Sequence, residues 1–190
     1  MRQQTRASDN TAPQPEETVE LSVDQDNLIV RVNRAWNRFA CDNDGAHLAN
    51  DAVLGLNLLD FISGKASKNF TLALLELARR REREICFDYR CDSPRLRRFM
   101  RAHLSSDSEG AVHFFHRHLY SEIFPHRVVF QTAAQRARDT TIRCSLCNHV
   151  RHDGFWKLPE FVSQQVFKSQ PVPVIYGICP GCADILEGMR

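Results

Sequence analysis

The 190-residue chain contains seven cysteines, and four of them fall into two close pairs. The pairs are Cys144-Ser-Leu-Cys147 and Cys179-Pro-Gly-Cys182, separated by the 31 residues 148–178. A Cys-x-x-Cys segment bends into a tight knuckle that aims both sulfurs at one point. Two knuckles complete the tetrahedral shell of a Zn²⁺ ion. Cys144, Cys147, Cys179 and Cys182 are therefore the candidate metal ligands. Three other readings compete. His149 or His152 can stand in for one cysteine. Cys179-Pro-Gly-Cys182 can act as a redox pair, but that needs a thioredoxin-like βαβ context, and none precedes it. Two disulfides are the third, and they are rare in the cytoplasm. A catalytic zinc keeps one position open, whereas four thiolates close the shell. The expected role is structural, with metal binding supplying folding energy to a segment too small to hold a core alone.

The rest of the chain is long enough for one ordinary domain, or one domain plus a small module. Its 43% hydrophobic content supports a real core. No run of about 18 apolar residues is present, and residues 1–6 lack the apolar stretch of a secretory signal. The expected compartment is the cytoplasm, with no membrane contact. Formal net charge is +2, and four thiolates with one Zn²⁺ would bring it to about zero. Charge distribution says more. Residues 1–30 carry six acids against Arg2 and Arg6, and residues 79–101 carry nine arginines against four acids. That local excess reads either as a surface for an anionic partner or as a solvated face.

Residues 1–17 are polar, with two prolines, and read as a disordered leader. From Val19 the pattern alternates, and residues 28–32 return it as a hairpin around Asp24–Asn27. Asn33 suits a helix N-cap, with Val32, Trp36, Phe39 and Ala40 as a buried stripe. Residues 46–53 read as a short helix, and Ser63-Gly64 as a turn. Phe70, Ala73, Leu74, Leu77 and Ala78 then mark an amphipathic helix ending in arginines, which complement its negative end. Three strands follow at about 85–90, 96–104 and 111–119, and residues 121–139 read as a connector.

Two strands, several helices and three antiparallel strands, in that order, resemble a PAS domain. The likeness is carried by Val32-Asn-Arg-Ala-Trp-Asn-Arg-Phe-Ala40, by Gly55-Leu-Asn-Leu-Leu-Asp60, and by Cys91-Asp-Ser-Pro94 before an arginine-rich strand. It covers residues 18–120. The resemblance implies an α+β fold with a five-stranded antiparallel sheet and helices on one face. It implies sensing, cofactor binding or dimerisation without choosing among them. Light-sensing relatives carry a cysteine after the Gly-Leu-Asn segment. Here Leu58 and Leu59 follow, so flavin–cysteine photochemistry is not expected. Cys41, Cys86 and Cys91 read as small core or turn residues. His103, His113, His116 and His118 lie on adjacent strands, His116 and His118 toward one face and His113 toward the other. A haem or metal role for them competes with ordinary strand histidines.

Residues 140–190 are similar to a zinc-binding tail found after bacterial PAS and receiver domains. Arg151, Gly154, Trp156, Glu160, Gly177, Ile178, Cys179, Pro180 and Cys182 match it, while His152 replaces an acid and one residue is missing before Gly154. The expected whole is a leader (1–17), a PAS-like domain (18–120), a connector (121–139) and a zinc-ribbon-like module (140–190). No Ser-His-Asp order, phosphate-cradling glycine loop, kinase motif or cyclase motif is present, so catalysis is not expected. A signalling protein partner and a homodimer through the PAS-like domain are. A nucleic-acid-binding regulator and a haem- or small-ligand-binding sensor are the alternative functions.

Overall fold

The computed structural model describes residues 18–43, 45–80, 84–134 and 140–189. The leader, Arg81, Arg83 and residues 135–139 of the connector lie outside the described residues. The class is α+β. Strands β1 (Val19–Val23) and β2 (Ile29–Val32) form the expected hairpin. Its turn is set by Asp24, whose carboxylate accepts from the N–H groups of Asp26 and Leu28, and by Asn27 in the left-handed region at φ 63°. Helix α1 (Arg34–Asp42) starts where the cap predicts. Asn33 Oδ1 accepts from Trp36 N–H at 2.9 Å, and its amide donates to Thr18 O at 2.7 Å. One side chain thus caps the helix and ties it to the start of β1.

Residues 46–53 are two short 3₁₀ turns, Ala46–Leu48 and Asn50–Val53, rather than one helix. Extended Ala49 and left-handed Asn50 interrupt the winding. A third turn, Leu58–Phe61, is capped by the Asn57 side chain. Helix α2 (Lys65–Arg80) buries Phe70, Leu74, Leu75 and Ala78. Its terminal Arg79 does more than complement a dipole. It donates to Gly110 O, Asp24 O and Asn27 Oδ1, pinning the helix end to two hairpin turns.

Strands β3 (Ile85–Arg90), β4 (Leu96–Ser106) and β5 (Val112–Ile123) complete an antiparallel sheet in the order β2-β1-β5-β4-β3. The first and last segments of the chain's first half thereby meet, with Val19 opposite His116 and Val23 opposite Val112. The third of these strands does not stop at residue 119, because pairing with β4 runs on to Leu96–Ile123.

A second five-stranded sheet follows. It comprises β6 (Phe130–Thr132), β7 (Thr141–Cys144), β8 (Val150–His152), β9 (Phe155–Lys157) and β10 (Val172–Gly177). The order is β6-β10-β7-β8-β9, and β10 runs parallel to both β6 and β7. Helices α3 (Pro159–Gln165) and α4 (Pro180–Gly188) belong to this half. The stretch expected to be a connector therefore supplies a strand. It also buries Phe124 and Val128, whose N–H groups donate to Arg95 O and Pro94 O.

The two halves share one core. A single cluster of buried residues runs from Leu21, Leu75 and Leu104 to Cys144, Leu146, Cys179 and Cys182. A smaller cluster, Val150, Val162, Val172 and Val174, lies within the second half.

Candidate metal centre

The knuckles are built at the ends of two neighbouring parallel strands. β7 ends at Cys144 and β10 at Gly177, and these residues are paired in register. After Cys144 the chain turns tightly. Asn148 N–H donates to Cys144 O, Cys144 N–H donates to His149 O, and Asn148 takes φ 62°. The second knuckle opens α4, with Cys179 at the N-cap and Pro180 in the first turn. Cys182 and Ala183 N–H groups donate back to Cys179 O. Gly177 lets the strands approach, since a Cβ there would lie 2.8 Å from Ile142 Cγ2.

All four sulfurs lie within 4.8 Å of one another. Tetrahedral Zn–S bonds of about 2.3 Å would place neighbouring sulfurs about 3.8 Å apart. Cys147 Sγ and Cys179 Sγ are 3.7 Å apart, which fits, and far exceeds an S–S bond. Cys144, Cys179 and Cys182 are buried and Cys147 half-buried. Their ionisation is mutually entangled. Hydrogen bonds from Cys147 and Cys182 pull the Cys144 thiol down, while the same contact with Cys144 pushes Cys147 up to about 12 and Cys182 upward too. One thiolate is stabilised at its neighbours' expense, and a cation is what allows four to coexist. The positive N-terminus of α4 and the Cys179 N–H donating to Cys144 Sγ at 3.4 Å favour the same charge. Among the described residues, neither His149 nor His152 joins the cluster, and His152 Nε2 instead faces the Asp153 carboxylate at 3.1 Å.

The first knuckle is strapped to the other half of the molecule. Ser145 Oγ and Ser67 Oγ of α2 are 2.7 Å apart and share a hydrogen bond. Arg90 N–H of β3 donates to Leu146 O at 2.7 Å, and the buried Asn148 amide donates to Arg90 O. Glu160 of α3, 10% exposed, pairs with Arg97 of β4. Glu160 is marked by its match to the zinc-binding tail, but its partner Arg97 is not, and nothing local distinguishes Ser67 or Arg90 from a surface residue.

The knuckle also borders a cavity of about 260 Å³ between α2 and the sheet. Leu21, Phe70, Ala102, Phe114, Leu146 and Ile178 contribute apolar wall. His116 lies there too, on the inner face as its alternation with Phe114 requires, with Nδ1 2.9 Å from the Tyr89 hydroxyl. Burial lowers His116 to about 4 and pushes the Tyr89 phenol up. His118 lines a second cavity with Arg38, Asp42 and Arg98. His113 bonds Ser22 and Asp107, and His103 faces Glu84.

Two expectations change. Cys41 and Cys86 are exposed, on α1 and β3, because their positions face away from the core; Cys91 is the one held in a turn, its thiol pushed up by burial. The arginines of 79–101 are largely committed within the fold. Arg90 pairs with Asp92, Arg97 with Glu122 and Glu160, and Arg101 with Asp88, while Arg98 donates to Cys91 O and Asn43.

No family model matches the chain, and no curated protein matches it. Among solved structures it is similar to the crystal structure of a sensory box sensor histidine kinase from Vibrio cholerae. The TM-score is 0.40 and the identity 12%, covering 55% of this chain and 83% of that one. Among the described residues no helix is long and apolar enough to cross a membrane.

Proposed function

We propose that the chain is a non-enzymatic signalling protein, a PAS-like sensing domain locked to a structural zinc module. The observation that carries this reading is the closed four-sulfur cluster seated in the same core as the sheet. Soft thiolates in a tetrahedral set select Zn²⁺ over harder ions. With four protein ligands no position is left for a substrate, so the ion's contribution is to hold both knuckles and the elements strapped to them. Thiols that must stay reduced suit a cytoplasmic setting. Metal analysis of the purified protein should give about one Zn²⁺ per chain, and a Cys144→Ser, Cys179→Ser double variant should lose it. Folded wild-type protein free of metal would overturn the assignment.

A second reading, small-ligand sensing, is favoured by the cavity beneath α2. Nucleic-acid binding draws less support, because Arg90, Arg97, Arg98 and Arg101 already have partners. Retention of duplex DNA at low salt, lost steeply as salt rises, would revive it.

A further inference from the structure

Resting on the sensing reading above, we propose that the cavity under α2 takes an uncharged aromatic molecule about the size of two fused rings, and that its occupancy is linked to that of the metal because the cysteine knuckle forms one of its walls.

Size and chemistry define the ligand. An apolar cavity of about 150 Å³ accepts benzene, so about 260 Å³ suits a bicyclic ring. The cavity is open to solvent on one side, and no Lys, Arg, Asp or Glu lines it, so an ion would meet no counter-charge there. Polar side chains occur at the Tyr89–His116 pair, at the Ser67–Ser145 pair and at Thr71, whose hydroxyl donates to Ser67 O. These can meet one N–H or O–H on an otherwise apolar molecule. Burial keeps His116 neutral near pH 7, which suits an uncharged ligand.

The linkage follows from the wall. Ser145 and Leu146 lie between Cys144 and Cys147, and Ile178 directly precedes Cys179. Their positions are set by the two loops that would grip the metal. Without a cation those loops lose their common anchor, and Leu146, 7% exposed, loses the restraint that holds it against the cavity. A ligand that prefers the closed wall must therefore tighten metal binding by the same factor that metal tightens ligand binding.

The test uses full-length zinc-loaded protein with indole as probe and naphthalene as its counterpart without an N–H. Calorimetry should detect indole binding. In equilibrium competition with a chromophoric chelator, saturating indole should raise the chelator needed to withdraw half the zinc by at least about fivefold. Ala102→Leu, which fills the cavity from β4, should keep zinc but lose both effects. Leu146→Ala retains all four cysteines and should bring the chelation shift toward unity, which covers the case that Ala102→Leu does not fold. If indole binds and the chelation midpoint does not move, the linkage is wrong while sensing stands. If neither probe binds zinc-loaded protein, the cavity assignment is wrong. A shift that survives in Ala102→Leu would place indole elsewhere and overturn the proposal.

Discussion

His116 lines both the cavity beneath α2 and the one beside α1, and its chemistry is set by burial. Tyr89 faces it from β3, with Arg98 on β4 and Arg38 and Asp42 on α1 lining the adjoining space. Its ordinary value is 6.5 and the folded value about 4. The unfolded chain therefore takes up the proton first. This contribution to stability is complete above about pH 6.5 and declines by up to about 3 kcal/mol as pH falls to about 4. His116→Gln should flatten the urea midpoint between pH 7 and 5 relative to wild type. Asp88 and Asp107, both held below 3.8, act only further into the acid range. A second residue prediction concerns Glu160. It is 10% exposed, lies on α3 and forms an ion pair with Arg97 of β4. Arg97→Ala would strand a buried carboxylate and should cost about 3 kcal/mol in urea unfolding. A loss under about 0.5 kcal/mol would mean that the pair is solvated.

The elements differ in how far local pattern determines them. Helix α1 follows from Asn33, since a cap acts within a few residues, but of the expected stripe only Ala40 is buried, joined by Ala35, while Val32 and Trp36 pack half-buried against the core. Strands β3, β4 and β5 follow from alternation. β6 does not, because a three-residue strand is stabilised by β10, about 40 residues away, and not by its own sequence. Glycines give a sharper test of element packing. Gly64 (φ +87°) precedes α2, and a Cβ there would lie 2.4 Å from Tyr176 O of β10. Gly55 (φ +77°) has nothing within 4 Å. Gly64→Ala should cost at least about 2 kcal/mol by adding a backbone clash to conformational strain. Gly55→Ala should cost about 1 kcal/mol from conformation alone. Equal losses in chemical denaturation would show that α2 and β10 separate freely.

The molecule as a whole should unfold as one unit. Leu75 and Leu104 of the first half share a core with Cys144 and Cys182 of the second, and hydrogen bonds from Ser67 and Arg90 cross between them. The two tryptophans report on opposite halves, Trp36 from α1 and Trp156 from β9. Single-tryptophan variants, Trp36→Phe and Trp156→Phe, should give coincident thermal transitions, and zinc removal should lower both together. Two separated midpoints would show independent domains. For the same reason a chain ending at residue 139 should expose its core and aggregate.

The cysteine spacing, the Asn33 cap, the amphipathic stripe of α2 and the alternation of the β3–β5 strands were determined by the sequence itself, because each depends on residues within one turn or one knuckle. The common core, the cavity wall built from Leu146 and Ile178, and the fate of the arginines were decided only in three dimensions. Ser67 and Ser145 are 78 positions apart, and Arg97 and Glu160 are 63. Contacts over such separations are paid for by the collapse of the whole chain, so no local pattern records them. The four cysteines announce a candidate metal site, and the fold makes that cluster part of the sheet's own core.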